Sequence, residues 1–151
     1  MFHLKGVIPP MITPFCEDGK LDEAGLQALV EYLNGRVNGL FICGSYGCGP
    51  LMSLEERKRV AEIVRKYAAP DMAIVVHTGT TNARDTIDLS LHAKAIGCDA
   101  ASAVGPYYYK YQDMDLLGYY TQILKATGDF PFYIYHNPQF QGYETSLNVI
   151  R

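Results

Sequence analysis

The sequence contains no tryptophan, no Cys-x-x-Cys pair and no long unbroken apolar run. Each absence excludes a class of protein. A membrane-spanning helix needs roughly 20 consecutive apolar residues, so no membrane partner is expected. The opening MFHLKGVIPP has no basic stretch followed by an apolar run and a small-residue cleavage site, which makes the cytoplasm the expected location. There the four dispersed cysteines, Cys16, Cys43, Cys48 and Cys98, are expected to be free, buried thiols. His3, His77, His92 and His136 show no ligand spacing among themselves or with the cysteines, which argues against a metal site. An excess of positive charge is missing too: 16 acidic residues face 13 lysines and arginines, for a net charge of −3. A nucleic-acid partner is therefore not expected.

What is present is an ordinary globular composition. Of 151 residues, 48% are hydrophobic and 19% charged, enough apolar material for a core and too much for a disordered chain. Short apolar runs alternate with longer amphipathic segments. Gly6 to Pro10 reads as a first strand, with a helix there prevented by Pro9, Pro10 and Pro14. Asp22 to Asn34 reads as a helix whose apolar stripe is Leu26, Leu29, Val30 and Leu33. Gly39 to Cys43 is a second strand, apolar throughout and so covered on both faces. Ser53 and Glu56 form a capping box opening a helix that stops before Pro70. Ala73 to His77 is a third strand, followed by a helix from the Asn82 cap to about Ile96. Ala100 to Val104 is a fourth strand, Asp113 caps a helix from Met114 to Thr127, and Phe132 to Tyr135 is a fifth strand. Ser146 begins a last helix.

Strands alternating with helices imply a parallel sheet with right-handed crossovers. A doubly wound open sheet and a (β/α)8 barrel both fit that alternation. A barrel needs eight strands and typically about 250 residues, so length alone favours the open sheet.

In either architecture the functional residues gather at the C-terminal ends of the strands. After the second strand comes Gly44-Ser45-Tyr46-Gly47-Cys48-Gly49-Pro50, a glycine-rich turn that lets backbone N–H groups approach an anion. It lacks the Gly-Lys-Ser/Thr of a phosphate loop and the order of a dinucleotide fingerprint, which leaves a small carboxylate as the better guest. After the third strand come His77-Thr78-Gly79-Thr80-Thr81-Asn82, after the fourth Gly105-Pro106-Tyr107-Tyr108-Tyr109, and after the fifth Tyr135-His136-Asn137-Pro138. Several of the 12 tyrosines thus stand where a phenol reaches a pocket and can pass a proton along other hydroxyls. Packing or an interface is the alternative role for them.

As an ordered set, these motifs resemble the dihydrodipicolinate synthase / N-acetylneuraminate lyase family of pyruvate-dependent class I aldolases. The resemblance begins at Thr13-Pro14-Phe15 and Asp18-Gly19 and runs through the Gly44–Gly47 turn, Gly79-Thr80 before Asn82, and Pro106-Tyr107-Tyr108, to Tyr135-His136-Asn137-Pro138. It implies a (β/α)8 TIM barrel in place of the open sheet, with residues 1–151 forming the N-terminal portion, about five strands, of a single barrel domain. It implies pyruvate or another 2-oxo acid as substrate, bound as an imine to a lysine, and no cofactor, because the imine itself is the electron sink. By resemblance, Tyr135 is the proton-transfer tyrosine, and Ser45 and Tyr108 complete a hydroxyl relay, Tyr108 reaching across a subunit interface. Gly44, Ser45, Tyr46 and Gly47 form the carboxylate turn, and Tyr107 and Tyr108 serve the interface of a homo-oligomer. The sequence departs from the family at three site positions: Tyr46 replaces a small hydroxyl, Cys48 replaces a frequent glutamate, and Phe140 replaces the synthases' arginine. A phenyl ring cannot bind a carboxylate bidentately, so aldolase or dehydratase chemistry on a less charged 2-oxo acid is expected. The family's Schiff-base lysine would fall about a dozen residues beyond Arg151. The 151 residues alone are therefore expected to be inactive, the alternative being a non-catalytic half-barrel that binds or assembles.

Overall fold

Helices begin where an oxygen is available to cap them. The Asp22 carboxylate accepts from the Gly25 N–H at 2.8 Å ahead of helix α1 (Glu23–Leu33). The expected capping box at α2 (Leu54–Tyr67) is formed: the Ser53 hydroxyl accepts from the Glu56 N–H and the Glu56 carboxylate from the Ser53 N–H. The Asn82 side-chain oxygen caps α3 (Ala83–Ala95) by accepting from the Asp85 N–H at 2.9 Å. Helix α4 (Asp113–Thr127) differs from expectation. Gln112 is its cap residue, and Asp115 accepts the Gln112 N–H at 3.0 Å. The Asp113 carboxylate is taken instead by the Ser146 hydroxyl at 2.7 Å, which ties α4 to the C-terminal turn α6 (Leu147–Ile150).

The computed structural model describes residues 4–151; His3 lies outside the described residues. Between the helices run strands β1 (Gly39–Ile42), β2 (Ala73–His77), β3 (Ala100–Ala103) and β4 (Phe132–Ile134), all parallel in the order β1-β2-β3-β4. Two further short elements, a 3-10 turn at Gly49–Leu51 and helix α5 (Pro138–Gln141), follow β1 and β4. The expected first strand is reduced to a single bridge between Pro10 and Phe41. Val7 and Pro9 offer carbonyls to the Asn38 and Phe41 N–H groups, and Met11 donates to the Phe41 carbonyl. In that register the donor owed to Gly39 would come from Pro9, which has no N–H, so a regular ladder cannot form.

Two other boundaries shift for local reasons. β1 stops at Ile42 because Cys43 takes a left-handed φ of 57°. β3 stops at Ala103 because the Val104 N–H is claimed by the His77 imidazole.

The register puts Leu40, Ile42, Ile74, Val76 and Ala101 on one face. There they pack with Leu26 and Val30 of α1 and Val60, Ile63 and Val64 of α2 in the main core. A second cluster of Leu116, Tyr119, Tyr120 and Ile123 on α4 meets Phe132 and Ile134 of β4. The opposite face presents Phe41, His77 and, just past β4, Tyr135, whose rings meet edge to face at 5.5 to 6.0 Å between centroids. Cys43 and Cys98 are buried as expected, but Cys16 is exposed and Cys48 only half-buried. Among the described residues no cluster of metal-ligating side chains exists, and no helix is long and apolar enough to cross a membrane.

Leu40 is fully buried between the sheet and its helices, so Leu40→Ala is expected to cost about 2–5 kcal/mol of unfolding free energy. Ser53→Ala, which removes only the exposed cap, is expected to cost about 1 kcal/mol. Urea unfolding monitored by circular dichroism checks both values and their order.

Candidate active site

In a parallel sheet every strand exit opens on the same side. The β1 exit is the most constrained. Cys43 and Cys48, at φ 57° and 55°, bracket the Ser45 turn in a conformation unfavourable for side-chain-bearing residues. A side chain at Gly49 would collide with the Cys43 carbonyl, and one at Gly47 would stand 2.9 Å from the Met11 carbonyl. The turn is thus folded too tightly for anything but glycine at these two points. The Thr13 hydroxyl fastens it from outside by donating to the Gly47 carbonyl at 2.7 Å. Neither the Ser45 nor the Tyr46 backbone N–H has a hydrogen-bond partner among the described residues.

Ser45 lies between two cavities. One, of about 300 Å³, is lined by Ile8, Pro10, Phe41, Ser45, Tyr46 and Tyr135. The other, of about 290 Å³, runs from Ser45 and Cys48 past His77 and Asn137 to Leu51, Tyr107 and Phe140. The structure therefore brings Ser45, Tyr46 and Tyr135 together at one cavity, and Ser45, Tyr107 and Phe140 at the next. Gly44 and Gly47 are buried within the turn. The Tyr135 hydroxyl accepts from Asn137 Nδ2 at 3.0 Å. Tyr108 joins neither group: it is 86% exposed, has a φ of 88°, and stacks edge to face on Tyr109. No contact between Tyr108 and Ser45 exists within this chain, so a relay through both needs Tyr108 from elsewhere. No lysine lines either cavity, and Lys110 is exposed.

Three residues that sequence reasoning missed hold this face in shape. Arg57 is buried in α2, and its guanidinium donates to the carbonyls of His77 (2.7 Å) and Gly79 (3.1 Å), with its Nε left unpartnered. Burial lowers its pKa. The signal for Arg57 was its spacing. It stands on the buried stripe with Val60, Ala61 and Val64, inside a charged run that composition alone assigns to solvent. His77 accepts the Val104 N–H on Nε2 at 3.2 Å, which leaves its proton on Nδ1. The Cys43 carbonyl lies near that atom and favours the proton, without forming a full hydrogen bond. Burial, helped by the Arg57 charge, pushes the His77 pKa down to about 3, so the ring is neutral. Asn137, the third, orients the Tyr135 hydroxyl. Burial also pushes the Cys43 thiol up to about 12, which removes it as a nucleophile.

A parallel β/α arc with a turn of free N–H groups and a tyrosine at its C-terminal strand ends has the layout of a (β/α)8-barrel enzyme site. The profile of the Dihydrodipicolinate synthetase family matches residues 3–151, and the chain belongs to that family. It is 34% identical over 132 residues to the N-acetylneuraminate lyase of Pasteurella multocida, covering 86% of this chain and 45% of that protein. It is 36% identical over 147 residues to the 4-hydroxy-tetrahydrodipicolinate synthase of Methanothrix thermoacetophila, covering 97% and 49%. Among solved structures it resembles YagE of Escherichia coli K12, a prophage protein of the dihydrodipicolinic acid synthase family in complex with pyruvate. The TM-score is 0.89 at 35% identity, over 96% of this chain and 49% of that one. The chain spans about half the length of the curated relatives it matches. The expected barrel family is thereby established, and the open sheet favoured by length is set aside.

The His77 environment has a consequence in pH. Folded, the ring stays neutral down to about pH 3; unfolded, it protonates near its ordinary 6.5. Between these values the unfolded chain binds the extra proton, so stability falls as pH drops through that window. One such proton contributes a slope of up to about 1.4 kcal/mol per pH unit. Urea titrations from pH 7 to pH 4 are expected to show His77→Gln less acid-sensitive than the native chain; equal slopes would place the ring's charge elsewhere.

Proposed function

We propose that the protein works as a pyruvate-dependent aldolase or lyase, making or breaking a C–C or C–O bond of a 2-oxo acid held as an imine on a lysine. The observation that carries this reading is that Ser45 and Tyr46, whose backbone N–H groups have no partner among the described residues, line one cavity together with Tyr135. The N–H pair binds the substrate carboxylate without adding a titrating group. The Tyr135 hydroxyl transfers protons at the imine and, with Ser45, forms the start of a relay. Tyr108, exposed and out of reach, completes that relay from a second copy in a homo-oligomer, with Tyr107 beside it at the interface. The amine that forms the imine is not one of the lysines of these 151 residues, since none lines the cavities. Phe140 stands where the synthases' arginine is expected, which favours aldolase or dehydratase chemistry over condensation with a carboxylated aldehyde. The same lack of a lysine also supports the second reading, a half-barrel that binds without catalysing.

Two measurements test the proposal. Pyruvate is expected to shift the amide resonances of Ser45 and Tyr46 while leaving the outer face of α1 unmoved; unmoved amides would remove the carboxylate assignment. Borohydride with pyruvate is expected to leave the mass of the 151-residue chain unchanged, and a stable adduct on Lys110 or any other lysine would overturn the placement of the amine.

A further inference from the structure

The loop that carries Tyr107 and Tyr108 is gripped by a side chain from beyond β4. Residues 105–111 follow β3 without regular structure, and among the described residues they make one hydrogen bond. In it the buried Pro106 carbonyl accepts from the Tyr143 hydroxyl at 2.6 Å. The Tyr143 ring also meets Tyr111 edge to face, 6.0 Å between centroids, where both pack on the α4 cluster. One side chain therefore holds the loop at its entry and at its exit. Between these points stands Tyr108 at a φ of 88°, a costly conformation for a bulky residue that persists only where the surroundings enforce it. Gly105 belongs to the same device. A methyl group there would lie 2.6 Å from the Tyr143 hydroxyl, so glycine leaves the space that the bond occupies.

Tyr143 is itself fixed by its neighbours. Helix α5 ends at Gly142, whose left-handed φ of 82° reverses the chain. Gln141, buried just before it, donates through Nε2 to the Tyr143 carbonyl at 2.6 Å and to the Thr145 hydroxyl at 2.9 Å. Ser146 then holds Asp113, at the start of the helix that follows the loop. The same stretch of chain begins at Tyr135, whose hydroxyl is bonded by Asn137, the cap residue of α5. Residues 135–146 thus carry Tyr135 directly and reach the Tyr108 loop through Tyr143.

We infer that Tyr143 is a positioning residue for the tyrosine loop: its hydroxyl on Pro106 and its ring on Tyr111 hold Tyr108 in the exposed, left-handed conformation in which it serves a second copy. This rests on the reading of Tyr108 as a relay residue acting across an interface. Tyr143→Phe tests it, because the ring and its packing stay while the hydroxyl goes. Trypsin, applied at a concentration where the chain is monomeric, is expected to cut after the exposed Lys110 roughly fivefold faster in Tyr143→Phe, the factor that one net hydrogen bond supplies, with cleavage at other lysines unchanged. Gly105→Ala crowds the same hydroxyl and is expected to speed the same cut, but to add nothing in the Tyr143→Phe background. In sedimentation at higher concentration, Tyr143→Phe is expected to weaken self-association as Tyr108→Ala does, whereas Tyr32→Ala, an exposed tyrosine on α1, leaves it unchanged. Unchanged cleavage after Lys110, or additive effects of the two substitutions, would overturn the inference and leave the pyruvate reading in place. So would a freed loop with self-association at full strength, since the brace would then serve the fold alone. A native chain that stays monomeric at every concentration would remove the second copy from the proposed function, and this role of Tyr143 with it.

Discussion

Where a parallel sheet ends, its last carbonyls and amides lose their ladder partners, yet in a buried site they cannot be left to water. This constraint shapes the whole C-terminal face of the molecule. Arg57 answers it for β2, taking the carbonyls of His77 and Gly79. His77 answers it for β3 by accepting the Val104 N–H. Thr13 takes the Gly47 carbonyl beyond β1, and Tyr143 takes the Pro106 carbonyl at 2.6 Å beyond β3. The exits of β1, β2 and β3 are thereby each pinned by a side chain from a different part of the chain. The turn after β1 departs from that pattern: only the Cys48 and Gly49 N–H groups are paired within it, to the Ser45 and Gly44 carbonyls, and the N–H groups of Ser45 and Tyr46 have no partner among the described residues.

Much of this was legible in the sequence, and for local reasons. Helix caps are decided within four residues, so Ser53 with Glu56, and Asn82, could be read directly, whereas Asp22, read as the first residue of its helix, is its cap. At α4 the same reading slipped by one residue, because a partner distant in sequence, Ser146, took the Asp113 carboxylate. Strand positions followed from apolar runs, but strand ends did not. Those ends depend on a left-handed Cys43 and on a histidine reaching across from the neighbouring strand, and no window of sequence contains both partners. The first strand failed for a reason that was visible: prolines suppress a helix, but they also remove the donors of a ladder.

The site residues divide along the same line. Ser45, Tyr46 and Tyr135 could be picked out because motifs at strand ends converge by topology, whatever the side chains do. Arg57 could not, since a charged run on a helix reads as solvated until its place on the buried stripe is noticed. His77 was seen as one of four scattered imidazoles. Its significance lies in being buried, neutral and bonded to Val104, and none of these properties is a property of the residue type.

The separation of the two cavities also makes sense of the departures from the family's motif. In the proposed function the head is recognised through backbone N–H groups, which depend on the path of the chain, and that path is held by Gly47, Gly49 and the left-handed Cys43 and Cys48. The side chains on the turn are then free to differ. Tyr46 is 70% exposed, so its side chain differs from a small hydroxyl without being packed into the fold. Cys48 and Phe140 line the neighbouring cavity instead. In the proposed function such a site would hold the 2-oxo acid head through backbone geometry, so that side-chain changes on the turn leave that recognition in place.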